Sequence, residues 1–208
     1  MKMTRNKKAF TLVELLITMV VTGILLSAVA TLAFAMSSAS RSSDDTSLKE
    51  ALLRQTRLRI GELLRTCKLI CAAPGNDLAV WQADTNNDGQ VNVSELVYIE
   101  RGDGLNTLRL CQFSSGQNDV VPLETLSVAT TKAALASRYV KTYVPLIPTC
   151  RNVRFLLDPA PPFTRRVTVS FGLGESGAAH PYEVSVTLRA WAGHLLNSDG
   201  TALVSDDD

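Results

Sequence analysis

A chain of 208 residues is the length of one domain with room for an appendage. Its formal net charge is +1, and four of its cations, Lys2, Arg5, Lys7 and Lys8, sit at the extreme N-terminus, so the remainder is slightly acidic. A body without clustered Lys and Arg makes a poor partner for nucleic acid, which is held through phosphate contacts.

The first element is apolar. From Phe10 to Met36 the only ionisable residue is Glu14. As a helix this stretch is roughly 40 Å long at 1.5 Å per residue, more than the ~30 Å hydrocarbon core of a bilayer requires. Four cations precede it, and Arg41, Asp44 and Asp45 follow it. The positive-inside bias therefore predicts a cytoplasmic start and an extracytoplasmic body. A secretory signal peptide, with Ala28 to Ala30 as the cleavage site, fits this outline. So does a plain signal anchor. Neither explains Glu14, because a carboxylate near the centre of a spanning helix costs about 2.5–3.5 kcal/mol on insertion scales.

The run "KKAFTLVELL" supplies a reason for the acid. A basic leader, a small residue, Phe10, Thr11, Leu12, Val13, Glu14 and an unbroken apolar helix resemble the prepilin family, the type IV pilins and type II secretion pseudopilins. The resemblance implies that a prepilin peptidase cuts between Ala9 and Phe10 and that the new N-terminus, Phe10, is methylated. It also implies that Glu14, fifth in the mature chain, is an assembly residue. The family usually has Gly before the cut, where this chain has Ala9. The family's helix-breaking Pro is also missing, with Thr31 in its region and Gly23 as the soft point of the helix. Implied partners are other pilins or pseudopilins, the peptidase and the bacterial inner membrane.

Ser37 to Asp45 is polar without Pro or Gly and continues the helix. Between Thr46 and Ile70, Leu53, Ile60, Leu63, Leu64, Cys67 and Cys71 fall near helical spacing, with Arg54, Arg57, Arg59, Glu62 and Arg65 on the other face. The expected layout is a leader over 1–9, a transmembrane segment over 10–36 and an amphipathic continuation over 37–72, ended by Pro74-Gly75. A strand-rich extracytoplasmic body over 73–208 follows. Its period-two segments are Leu78–Gln82, Leu96–Glu100, Thr107–Phe113, Asn152–Leu157, Val167–Leu173 and Glu183–Trp191. Leu123 to Val140 reads as a helix, and Asp158 to Phe163, "DPAPPF", reads as a turn. The fold class is α+β and pilin-like: a long N-terminal helix, half transmembrane, packed on an antiparallel sheet. The strand-rich body resembles that of the larger, J-type minor pseudopilin and its type IV minor-pilin relatives.

"DTNNDGQVNVSE", Asp84 to Glu95, matches the calcium-loop pattern D-x-[DN]-x-[DN]-G-x5-E at every fixed position. A hard dication takes six to eight oxygens, and alternate residues of a tight loop point inward. Asp84, Asn86 and Asp88 are the expected side-chain ligands, Gln90 gives its carbonyl, Asn92 acts through water and Glu95 closes the shell with two oxygens. Flanking strands in place of helices make this an EF-hand-like loop within a hairpin. The competing reading is a metal-free Asn/Asp/Gly-rich turn.

Cys67, Cys71, Cys111 and Cys150 allow three pairings. Two helix-to-sheet disulfides compete with four buried free thiols. Zinc is disfavoured, since no His is near and no CxxC is present. His180 and His194 accompany no nucleophile motif, and the surroundings of Ser176 lack a full G-x-S-x-G elbow. The chain reads as a non-enzymatic filament subunit with calcium as a structural cofactor. The alternative is a membrane-anchored calcium-binding receptor or adhesin that does not assemble.

Overall fold

The computed structural model describes residues 11–75, 77–102, 107–173 and 180–204. Its first element is a 55-residue helix, α1 (Leu12–Thr66). The chain divides into two compact units, 1–53 and 54–208. In the first unit, Leu12–Ser40 has a mean hydropathy of 2.4, has no buried residue, and is long and apolar enough to cross a membrane. Its hydroxyls cost little there. Thr18, Thr22, Ser27 and Thr31 each donate to a backbone carbonyl three or four residues back, at 2.6–2.8 Å.

In the second unit, the end of α1 buries Ile60, Leu63 and Leu64 and exposes Arg54, Arg57, Arg59, Glu62 and Arg65, as the spacing predicts. The helix stops earlier than expected. It ends at Thr66, and Leu69–Ala72 is a strand, β1, paired with Trp81, Val80 and Ala79. All four of its residues are buried. A strand covered on both faces shows no polar alternation, and Cys67 and Cys71 happen to continue the helical spacing.

Four strands follow: β2 (Leu78–Trp81), β3 (Leu96–Arg101), β4 (Leu108–Phe113) and β5 (Lys141–Ile147). They form an antiparallel sheet in the order β1-β2-β3-β4-β5. A second antiparallel sheet, β6-β7-β8, is built from Arg151–Asp158, Arg166–Leu173 and His180–Thr187. The last strand lies earlier than the expected Glu183–Trp191. Beyond Thr187 the chain turns away, Leu188 donates its N–H to Arg165 O, and Trp191 packs under the Arg165 guanidinium at 4.1 Å. The expected helix over Leu123 to Val140 is two helices, α2 (Leu123–Leu126) and α3 (Ala129–Arg138), with β5 beginning directly afterwards.

One face of the larger sheet contributes Leu69, Cys71, Ala79, Trp81, Leu96, Tyr98, Cys111 and Phe113 to a core closed by α2 and by Leu195. A charged clip joins α3 to this sheet. Lys132 pairs with Asp77 at 2.6 Å and with Glu100, and Glu100 also takes Arg109 Nε at 2.7 Å. Partial burial works against the Lys132 ammonium, but Asp77 and Glu100 outweigh it and hold its pKa above the usual value.

Candidate functional site

The loop between β2 and β3 is built on two left-handed residues, Asn87 (φ 58°) and Gly89 (φ 66°). Asn tolerates this conformation and Gly has no Cβ to oppose it. Asp84 draws the loop closed: its Oδ1 accepts Asp88 N–H and its Oδ2 accepts Gly89 N–H, both at 3.2 Å. Asp88 is the centre of the cluster. Its Oδ1 accepts Gln90 N–H, and its Oδ2 accepts the amides of both Asn86 and Asn92, all at 2.8 Å. Partial desolvation pushes the Asp88 carboxyl upward, yet the donors Asn92, Gln90, Asn86 and its own N–H together hold it below the usual value.

A neighbouring loop backs the site. Gln117 O accepts Asn86 Nδ2 at 3.4 Å, Asp119 O accepts Val93 N–H at 3.0 Å, and Val121 N–H donates to Val91 O at 2.8 Å. Val91 and Val93 point into the core.

The structure thus brings Asp84, Asn86, Asp88 and Asn92 together. It treats Glu95 differently. Glu95 is buried in a short 3-10 turn, Val93–Glu95. Its Oε2 accepts the Trp81 indole N–H at 3.0 Å, and its Oε1 accepts both the N–H and the hydroxyl of Thr85. Among the described residues, no group of three or more His, Cys, Asp or Glu side chains stands together as a metal cluster. What favours a cation is Asn92. It is fully buried, its Nδ2 touches Asp88, and its Oδ1 has no partner. A bare buried acceptor costs about 1–3 kcal/mol. Residue spacing picked out the ligand types. It missed the Glu95–Trp81 bond, for which the only signal is a Trp three residues ahead of the loop.

The four cysteines are free and buried. The expected helix-to-sheet disulfides are not formed, and neither Cys67 nor Cys71 lies on the helix, which ends at Thr66. From β1, Cys111 on β4 lies beyond β2 and β3. Three strand spacings are about 14 Å, well over the ~7 Å that a disulfide spans between Cα atoms. Burial pushes the Cys67 and Cys71 thiols up to about 12.

At the N-terminal end, Ala9 and Phe10 lie outside the described residues, as does Ser176. Glu14 is in the first turn of α1. Its N–H donates to Thr11 Oγ1 at 3.3 Å, so Thr11 caps the helix. Thr11-x-x-Glu14 has capping-box spacing, a signal available in the sequence. An acid in the first turn also suits the positive end of the helix dipole.

The prokaryotic N-terminal methylation motif matches residues 4–30 of the chain. This is the prepilin-type signal of pilins and pseudopilins, and it covers Arg5, Lys7 and Lys8 of the leader, Phe10 and Glu14. Neither a curated protein nor a solved structure matches the chain. The motif is of the kind that prepilin peptidase processes, and the apolar helix within and behind it is long enough to anchor the chain in the inner membrane.

Proposed function

We propose that this chain is a minor pilin or pseudopilin subunit of a type II secretion pseudopilus or a type IV pilus. It enters the inner membrane once, with its basic leader in the cytoplasm and its body outside. Prepilin peptidase cuts between Ala9 and Phe10, and Phe10 is N-methylated. The observation that carries this reading is the methylation motif over residues 4–30, with the single acid of the apolar helix inside it.

The chemistry explains why that acid is tolerated. Cleavage exposes a cationic amine on Phe10 in apolar surroundings. In a stack of subunits, the Glu14 carboxylate of one neutralises the Phe10 ammonium of the next. Each charge alone is costly in lipid, and pairing them fixes the register of assembly. Calcium is the structural cofactor of the body, held at the Asp84–Asn92 loop. The bare Asn92 Oδ1 and the carboxylates of Asp84 and Asp88 within one loop support this assignment.

Mass spectrometry of the mature N-terminus in cells with an active peptidase tests the processing. A methylated Phe10 is the expected result. A start after Ala30 marks a secreted protein and an intact Met1 a plain anchor, and either refutes the proposal.

A further inference from the structure

Glu95 stands at the loop position that ordinarily closes a calcium shell with both carboxylate oxygens. Here those oxygens are committed elsewhere. Oε1 already accepts two donors from Thr85, which uses both of its lone pairs, and Oε2 accepts the buried indole of Trp81. Swinging Glu95 onto an ion would strip Trp81 Nε1, deep in the core, of its carboxylate acceptor and release the turn at Thr85. The Asp84 and Asp88 oxygens accept too, but only from the loop itself, the N–H groups of Asp88, Gly89 and Gln90 and the Asn86 and Asn92 amides, so turning them to an ion leaves the core intact. Asn92 Oδ1, buried and without a partner, shares its amide carbon with the nitrogen that touches Asp88 Oδ2.

We infer that Glu95 is not a ligand but the strut that ties the loop to β2, and that the dication is held by Asp84, Asn86, Asp88 and Asn92. This rests on the calcium reading above. Two carboxylates match the charge of one dication, and the Gln90 carbonyl and water complete an oxygen shell. Asn86 is steadied from outside the loop by Gln117 O. The arrangement separates two tasks that one residue performs in a shell closed by Glu. The strut holds the β2–β3 hairpin at all times, and the ion fixes only the tip around Asn87.

Calcium binding to the full-length protein in detergent micelles, measured by titration calorimetry, tests this. The wild type is expected to take one calcium with a Kd of about 10⁻⁴–10⁻³ M. Asp88→Asn is expected to weaken binding at least about tenfold. Glu95→Gln is expected to leave the Kd within about threefold while lowering the thermal midpoint. Loss of binding in Glu95→Gln to the extent seen in Asp88→Asn overturns the inference and leaves the calcium reading standing. No calcium uptake by the wild type at about 10 mM overturns both. Should Glu95→Gln not fold, the Trp81 indole N–H resonance is followed in a Trp191→Phe protein during the calcium titration. An unmoved signal at saturation supports the strut, and a large shift shows Glu95 leaving Trp81 for the ion.

Discussion

Replacing Lys132 by Met tests the energetics of the clip that holds α3 on the larger sheet. The Glu100 side chain is 3% exposed and is held between Arg109 and Lys132. Removing the Lys132 ammonium leaves one Glu100 oxygen facing no cation. Stripping one partner from a fully buried pair costs about 3–5 kcal/mol, whereas exposed pairs are worth about 0–1. Lys132 is 23% exposed and Arg109 still holds the other oxygen, so the loss is about 2 kcal/mol. Met and Lys have similar helix propensities, which removes the helix itself as a confounding cause. For a folded unit of this size, 2 kcal/mol corresponds to a fall in melting temperature of about 4–8 °C. The assay is thermal unfolding of the full-length protein in micelles, followed by circular dichroism, with Glu100→Gln and the double variant completing a cycle. A fall below about 1 °C, or strict additivity of the two substitutions, refutes the reasoning.

Glu14→Ala is expected to leave membrane insertion unchanged and to lower the assembled fraction at least about tenfold, as read by filament shearing and immunoblotting, because the neighbour's ammonium is then unpaired. Alkaline pH should unfold the body. The Cys67 and Cys71 thiols titrate near 12 in the fold and close to 9 once exposed, so the unfolded state loses protons first. Stability is then full below about pH 9 and falls between pH 9 and 12, by up to about 1.4 kcal/mol per pH unit for each thiol. Cys71→Ala should flatten that slope in urea melts, and an unchanged slope argues against burial as the cause. Chelation should speed proteolytic cutting near Asn87 without loosening the β2–β3 hairpin, which peptide mapping of limited digests reports.

Much of the fold was legible because its strands carry a period of two or sit beside turn residues. In β7 and β8, Val167, Val169, Val184 and Val186 are buried at alternate positions. The segments that were misread share a cause, which is context. β1 is buried on both faces and shows no alternation, so it passed for the end of α1. β5 contains Pro145 and a half of exposed residues, which hid it behind α3. At the site, ligand spacing within the loop is a local property and was readable. The capture of Glu95 by Trp81 spans 14 residues and exists only once β2 and the 3-10 turn meet. Cys71 was placed on the helix for the same reason, since β1 shows no alternation to mark it as a strand.

The free border of the five-stranded sheet at β5 carries a consequence for life in a crowded envelope. Pro145 has no N–H to offer, its carbonyl already accepts Arg59 Nη1 at 3.0 Å, and the register with β4 slips beside it, between Leu108 and Arg109. Such a broken rim gives a passing polypeptide no continuous row of donors and acceptors to zip onto. At this border, a second copy of the chain finds no ready template for adding a strand.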